Sequence, residues 1–199
     1  MRRPSAAKRA YHHGDLGNAA LAEVLVVLAE RGARGVTFAE VARRLGVTAA
    51  ALYRHYADPQ ALLAAAAVES FVLFGRSLRA VRANSPYERL HEMSKAYLAF
   101  ALKNPARYEL MFGMRLDAGK PEALEQAGEA AFGVLVEALA QCRPRATSRG
   151  LTRLAKQVWA LCHGFAALGT IDLLGVTKRD AQSCLWEAVR LVVEGADRP

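Results

Sequence analysis

Apolar residues recur along this chain at intervals of three and four positions, which is the spacing of one face of an α-helix. The first such stripe, within residues 15–31, consists of Leu21, Val24, Leu25 and Leu28. Strict alternation of apolar and polar residues, the mark of a half-buried strand, reaches no useful length anywhere in the sequence. The pattern predicts an all-α fold of about nine helices.

Proline and glycine divide the rest of the chain into further helices. Proline is well tolerated at a first helical position, so Asp58-Pro59, Asn84-Ser85-Pro86 and Asn104-Pro105 mark helix starts. Glycines and the Arg143-Pro144-Arg145 segment mark breaks. The later helices are predicted over residues 59–82, 84–103, 104–112, 122–141, 149–174 and 179–194.

Two short helices separated by a glycine are predicted over residues 37–56. Thr37 and Glu40 have the spacing of a capping box, which places the first helical residue at Phe38. Gly46 stops this helix. Its inward face should hold Phe38, Val41 and Leu45.

The second short helix is predicted to be capped by Thr48 and to run to about His55. Val47 and Leu52 would hold it against the first short helix while its other side faces outward. This layout is a helix-turn-helix, and the outward side is where DNA would be read.

The net charge of +8 is concentrated near the N-terminus, where residues 1–56 hold 9 Lys or Arg against 4 acidic residues. The first 13 residues lack periodicity and predict a flexible basic arm whose cations are Arg2, Arg3, Lys8 and Arg9. A basic end favours a polyanion as partner, while a merely soluble basic protein or an anionic membrane surface is the alternative. The chain is 199 residues long and 53% hydrophobic, enough for a substantial core.

Cysteine and histidine usage predicts no disulfide framework and no metal site. Cys142, Cys162 and Cys184 are widely spaced and odd in number, and the adjacent His12 and His13 make a poor metal site. We expect neither a metal nor a cofactor. No signal-peptide pattern opens the chain and no run of about 18 apolar residues occurs, so we expect a cytoplasmic protein without a membrane span.

The chain resembles the TetR (AcrR) family of transcriptional regulators. The resemblance rests on Tyr-His-His-Gly-Asp-Leu at residues 11–16, on the glycines of residues 32–35, and above all on residues 36–56. Within the last segment, Gly46-Val47-Thr48-x-x-x-Leu52-Tyr53-x-His55-Tyr56 looks like the family's turn and recognition helix. Trp159-x-x-x-His163-Gly164-Phe165 is similar to the Trp-His-Gly motif of one C-terminal subgroup.

The resemblance implies a homodimer whose subunits have a three-helix helix-turn-helix head and a six-helix body that binds a small-molecule effector and dimerises. We expect an arm over residues 1–13, a DNA-binding domain over residues 14–58, and an effector-binding and dimerisation domain over residues 59–199. Trp186, Gly164 and Gly169 fit close packing at a dimer seam, but they would equally serve a monomer core.

In this docking mode the exposed tip that meets base edges is formed by Thr48, Ala49, Ala50 and Ala51. Alanine offers bases only methyl contacts of the kind that suit thymine, so direct readout would be chemically thin. Specificity would then depend on Thr48, on Arg44 at the end of the preceding helix, on DNA shape, and on arm residues such as Arg3 in a narrow minor groove.

The resemblance also assigns phosphate contacts to Tyr53, His55 and Thr37. For Tyr53 and Tyr56 there is an alternative, because either aromatic ring could instead pack the head onto the following long helix.

Aromatic residues of the body are candidates for the wall of an effector pocket: Tyr97, Phe100, Tyr108, Phe112, Phe132, Trp159 and His163. Aromatic residues at helical spacing most simply belong to the hydrophobic core, so the prediction of a pocket rests mainly on the resemblance. His163 could hydrogen-bond an effector or a neighbouring carbonyl. Effector binding would change the separation of the two heads and so release DNA.

The function indicated is a ligand-responsive, sequence-specific DNA-binding regulator, most simply a repressor on a palindromic operator. The alternative is a small-molecule or lipid-binding protein of the same fold that binds no operator; a third is an architectural DNA-binding protein without an effector. The sequence has no nucleophile elbow, phosphate-binding glycine loop or zinc protease motif, so we expect no enzyme and no catalytic residues.

Overall fold

A computed structural model describes residues 16–113, 121–171 and 178–195. Over these residues the protein has nine α-helices and no strand, which confirms the all-α prediction. The helices are α1 (Leu16–Arg31), α2 (Phe38–Leu45), α3 (Ala49–Tyr53), α4 (Pro59–Arg79), α5 (Pro86–Lys103), α6 (Pro105–Phe112), α7 (Glu122–Cys142), α8 (Ser148–Ile171) and α9 (Lys178–Gly195). The predicted arm, including Arg3, lies outside the described residues.

The chain divides into two compact units, residues 1–66 and residues 67–199, and the division falls within α4. We call them the head and the body. The predicted boundaries after residues 13 and 58 stay predictions.

The head is built around the buried face of α1. The buried residues of this helix are Leu16, Ala20, Val24, Val27 and Leu28, whereas Leu21 and Leu25 are only half-buried. The predicted stripe was therefore rotated: α1, which contacts α2 and α3, buries the small side chain of Ala20 and leaves Leu21 and Leu25 half-buried.

Local signals fix both ends of α2. The Thr37 hydroxyl accepts a hydrogen bond from the Glu40 backbone N–H at 3.2 Å, as the capping box predicts. Gly46 has a left-handed backbone with φ of 69°, and the N–H of Val47 donates to the Ala42 carbonyl at 3.0 Å. These are features of a Schellman end, which favours glycine at this position. The buried residues of α2 are Phe38, Val41 and Ala42, while Leu45 is half-buried.

Helix α3 is shorter than predicted and lacks the predicted side-chain cap. It ends at Tyr53, and although Thr48 occupies the N-cap position, its side chain makes no cap hydrogen bond. A short 3-10 helix, Ala33–Gly35, was not predicted. Leu52 is fully buried and Ala51 is 8% exposed, so the prediction that Ala51 is part of the exposed tip is wrong.

An ion network joins α1 to α2 through Arg44. Its guanidinium donates to Glu40 at 2.7 Å, to Glu23 at 3.3 Å and to Glu30. The Glu40 carboxylate also accepts two hydrogen bonds from Arg43, at 2.9 and 2.8 Å. Because it binds these arginines, the Glu40 side chain does not complete the second half of the capping box.

The body packs around α8, which contacts α5, α7 and α9. Phe74 of α4 is fully buried within it, and its ring lies 5.1 Å from that of Tyr97 and 5.9 Å from that of Trp159, between centroids. Phe74 thus belongs to an aromatic cluster that spans several helices of the body.

By length and composition alone, α4 could cross a membrane, contrary to the expectation that no such segment exists. In the most apolar 18-residue stretch of α4, 56% is buried inside the protein. A helix buried in a protein core has the same apolar composition as a membrane-spanning helix, so the composition of α4 is only weak evidence for a membrane span.

Replacing Glu40 by Gln should lower Tm at neutral pH, and the difference from wild type should shrink in acid. Hydrogen bonds from Arg43 and then Arg44 lower the pKa of Glu40 from 4.5 to about 2. A lowered carboxyl pKa stabilises the fold above about pH 4.5, and this stabilisation is lost as pH falls toward 2. Circular-dichroism melts over this pH range provide the measurement.

The matched control is Thr37→Ala, which removes the cap and should cost about 1 kcal/mol at every pH. A difference between wild type and Glu40→Gln that does not change with pH would contradict the assignment.

Candidate nucleic-acid interface and effector pocket

The outward surface of the helix-turn-helix is formed by α3 and the residues beside it. Thr48, Ala50 and His55 are exposed, and Ala49 is half-buried. Tyr53 is 59% exposed, which is unusual for a large aromatic residue. The structure thus brings the tip and the candidate phosphate contacts of α3 onto one short segment.

Tyr53 combines packing with exposure. Its ring meets that of Phe38 in a T-shaped contact, with centroids 4.7 Å apart, so it holds α3 against α2. Because 59% of the residue still faces solvent, this packing does not exclude a phosphate contact. The Tyr56 hydroxyl donates to the Gly17 carbonyl at 3.2 Å, which gives Tyr56 a role in fixing α1.

Thr37 lies exposed at the start of α2, where its hydroxyl already accepts the Glu40 N–H. A hydroxyl has one donor as well as two acceptor positions, so the same group can still donate to a phosphate oxygen. Capping and DNA contact are therefore compatible roles for this residue.

The two adjacent arginines of α2 have different environments. The Arg44 side chain is 17% exposed and bound to three carboxylates, which gives it a structural role; its contact with DNA stays a prediction. The Arg43 side chain is 64% exposed, and its guanidinium hydrogen bonds go to Glu40. Sequence reasoning missed Arg43, although its spacing from Glu40 is that of a helix ion pair.

A small cavity lies in the body between α4, α5, α7 and α8. The space open to the centre of a water molecule is about 20 Å³, enough for one water but not for a drug-sized ligand. Its walls are formed by Leu78, Leu90, Met93, Ser94, Tyr97, Leu135, Val158, Trp159 and Cys162.

Of the predicted pocket residues, Tyr97 and Trp159 line this cavity. The others belong to the aromatic cluster around it: Phe112 lies 4.3 Å from His163, Phe132 lies 5.4 Å from Trp159, and Phe100 lies 5.0 Å from Phe74, between ring centroids. The aliphatic walls were missed, because a single leucine or valine in a core helix carries no signal of a cavity.

Three polar groups meet inside the aromatic cluster. The Tyr97 hydroxyl contacts Nδ1 of His163 by a hydrogen bond and lies 3.4 Å from the Tyr108 hydroxyl. They come from α5, α8 and α6, so the contact ties three helices together. We call Tyr97, Tyr108 and His163 the polar trio.

Burial keeps the polar trio uncharged. It raises the pKa of both tyrosines. It lowers the pKa of His163, and a hydrogen bond to the Trp159 carbonyl opposes that shift without reversing it. At neutral pH the site therefore holds two phenols and a neutral imidazole.

The cysteines are free thiols, and burial raises the pKa of Cys162 to about 12. A thiol that stays protonated is a weak nucleophile, which disfavours a redox role beside His163. Among the described residues, no group of three His, Cys, Asp or Glu is placed to hold a metal ion.

Trp186 stacks on His91, with ring centroids 4.6 Å apart, so it packs α9 onto α5 within one subunit. Gly164 is exposed, and an added Cβ there would meet no atom within 4 Å. The surroundings of Gly169 lie outside the described part of the structure.

Two family models match the chain. One, described as bacterial regulatory proteins, tetR family, matches residues 21–66. The other, described as tetracyclin repressor-like, C-terminal domain, matches residues 90–192. A comparison with curated proteins found no significant match.

Solved structures with the same fold cover almost the whole chain. A protein with unknown function from Rhodococcus sp. RHA1 is 26% identical with a TM-score of 0.81, over 94% of this chain and 98% of that one. A transcriptional regulator from the same organism is 18% identical with a TM-score of 0.74, over 92% and 98%. The TetR family transcriptional regulator PfmR from Thermus thermophilus is 17% identical with a TM-score of 0.63, over 90% and 99%. At 17% and 18% identity, the two regulators show only that this chain shares their fold.

Neutralising Arg43 should mainly affect DNA binding, whereas neutralising Arg44 should mainly affect stability. Arg43→Met should lower Tm only slightly, because it removes a largely exposed partner of Glu40. It should reduce the slope of log affinity against log salt for duplex DNA by about 0.9 for each bound subunit, the value of one phosphate contact. Arg44→Met should lower Tm, because it leaves three carboxylates without their shared cation. Thermal melts and DNA titrations at several salt concentrations measure both effects. An unchanged slope for Arg43→Met would remove this residue from the interface.

Proposed function

Because the chain belongs to the tetR family of bacterial regulatory proteins, we propose that it represses transcription by binding a palindromic operator as a homodimer and releasing it when an effector enters the body. The chain is a ligand-responsive, DNA-binding transcriptional regulator of that family. Family members are transcriptional regulators and typically not enzymes, and we propose no catalytic role. A cytoplasmic location follows from the same proposal.

The observation that carries the proposal is the outward surface of α3. Buried Ala51 and Leu52 anchor this helix, while Thr48, Ala50 and Tyr53 remain exposed on it. We propose DNA contacts through these residues together with Ala49, His55, Thr37 and Arg43, and through Arg3 and Arg44 as the sequence predicts. The DNA-binding domain would span residues 14–58 and the effector-binding and dimerisation domain residues 59–199, preceded by the arm over residues 1–13.

Exposed apolar residues on α8 and α9 support a homodimer. Leu168 is 41% exposed and Leu191 is 62% exposed. A second copy packed on α8 and α9 would cover these side chains, and a two-fold dimer would match a palindrome.

Trp159, His163 and Gly164 support a place in the subgroup with the Trp-His-Gly motif. The stacked rings of Trp159 and His163, with centroids 5.8 Å apart, give the motif a physical role in the aromatic cluster.

Effector binding is proposed to reach α4 through α6. This helix carries Tyr108 and Phe112 into the aromatic cluster, and its Arg107 binds α4: the guanidinium donates to the Ser70 hydroxyl at 3.2 Å and to Glu69 at 3.4 Å. A displacement of α6 would thus act on α4, the helix in which the chain passes from body to head.

Selection of bound duplexes from a random pool tests the DNA-binding proposal. We expect enrichment of a palindrome and nanomolar-range affinity that falls with salt. Tyr53→Phe should keep the Phe38 contact and Tm while weakening binding by loss of one hydrogen bond in each subunit, about 0.5–1.5 kcal/mol for each bond, with the salt slope unchanged. The absence of any enriched sequence would contradict operator binding and favour a ligand-binding protein of the same fold.

Arg107→Met should weaken the coupling between effector and operator. It should cost about 1 kcal/mol of stability, since the ion pair is partly exposed, and should raise the effector concentration needed to release the selected operator. Lys103→Met is the matched control, because it removes one exposed charge near the end of α5 without touching α4. Equal operator release by all three proteins would refute the route through α6.

A further inference from the structure

The cavity wall has no charged side chain. Of its nine residues, six are aliphatic or thioether or thiol side chains, two are aromatic and one is serine. The Ser94 hydroxyl donates to the Leu90 carbonyl at 3.0 Å, which occupies its only proton. A charged ligand placed here would lose its hydration without gaining a counterion, which disfavours its binding.

One residue of the cavity wall, Tyr97, also belongs to the polar trio. Tyr97 is 3% exposed, lines the cavity, and contacts both His163 and Tyr108. Its hydroxyl can donate one hydrogen bond and accept others. A ligand group that reaches this hydroxyl must share or replace the partners supplied by α6 and α8.

From these observations we propose that the effector is a compact, electrically neutral molecule with an aromatic or alicyclic body and one hydrogen-bonding group that engages the Tyr97 hydroxyl. Phenols are the simplest members of this class. This inference deepens the proposed function and rests on the body being the effector-binding unit.

The size of the cavity supports a compact molecule. With about 20 Å³ open, even one ring requires side chains to move. Met93 lines the cavity and is the most adaptable of its walls, because its unbranched side chain has three rotatable bonds. Trp159 and the neighbouring rings offer edges and faces on which an apolar ring can pack.

The protonation states agree with a neutral ligand. Both tyrosine pKa values are raised and that of His163 is lowered, in each case mainly by burial. The wall of the cavity offers a cation only the rings of Tyr97 and Trp159 and no carboxylate.

Four probes of similar size separate charge from hydrogen bonding: phenol, toluene, benzoate and benzylamine. At neutral pH the first two are uncharged, benzoate is an anion and benzylamine is a cation. The chain has two tryptophans, so the fluorescence of a Trp186→Phe protein reports Trp159 in the cavity wall. Titrations of each probe would be followed by this signal and by Tm.

Phenol should bind most tightly, toluene several-fold more weakly, and benzoate and benzylamine at least tenfold more weakly than phenol. Tyr97→Phe should abolish the preference for phenol over toluene while retaining toluene binding. Tyr87→Phe, which removes a hydroxyl elsewhere on α5, should leave the preference intact. Retained toluene binding shows that Tyr97→Phe is folded.

Tighter binding of benzoate or benzylamine, no binding of phenol up to its solubility limit, or an unchanged preference in Tyr97→Phe would each overturn the inference. The selected operator distinguishes this failure from failure of the proposed function. Operator binding without phenol binding would refute the effector class but keep the regulator. Phenol binding without operator enrichment would refute the regulator but keep the site.

Discussion

A helix of five residues cannot be stable by itself, and the head depends on how α3 is held in place. Helix nucleation costs more than one turn of hydrogen bonds returns, so isolated helices shorter than about 12–15 residues are marginal in water. Tertiary contacts must therefore supply the stability of Ala49–Tyr53. Leu52 is buried, Tyr53 packs on Phe38, and the left-handed Gly46 sets the angle between α2 and α3. Helix α2 is in turn tied to α1 by Arg44. The surface proposed to contact DNA is thus held in place because α3 packs on α2 and α2 is tied to α1.

A different constraint applies in the body, where polar atoms lie inside an apolar interior. A buried hydroxyl left unpaired costs about 1–3 kcal/mol, so the buried Tyr97 hydroxyl depends on the half-buried Tyr108 and His163 for its hydrogen bonds. Tyr97, Tyr108 and His163 come from three helices, and this requirement makes their relative positions sensitive to anything that changes the hydrogen bonding. Chemistry at one hydroxyl is therefore linked to helix packing. The ionic contact from Arg107 to α4 offers a further step along the same chain of contacts.

Elements with local signals could be predicted from the sequence, whereas features that depend on tertiary contacts could not. The cap of α2, the glycine that ends it, and the prolines that start α4, α5 and α6 are decided within a few residues. The orientation of α1 was wrong by part of a turn, because burial of Ala20 depends on the helices that α1 meets. The partners of Arg44 were missed because Glu23 lies 21 residues away. Aromatic pocket residues stood out by type, but the cavity walls depend on four helices that only the fold brings together.

The alanines of α3 have a consequence for how such a head can change its target. Alanine is the best helix former, so these residues support a helix that has little length of its own. The same alanines give the face proposed to enter the major groove few side-chain groups that can hydrogen-bond to bases. Ala50 is exposed, whereas the adjacent Ala51 is buried, so the two positions differ sharply in what they tolerate. A longer polar side chain at Ala50 would cost at most about 0.7 kcal/mol in helix propensity for an ordinary residue and would disturb no core contact. If α3 reads DNA as proposed, a single substitution at Ala50 could therefore change the preferred base while the fold of the head stays the same.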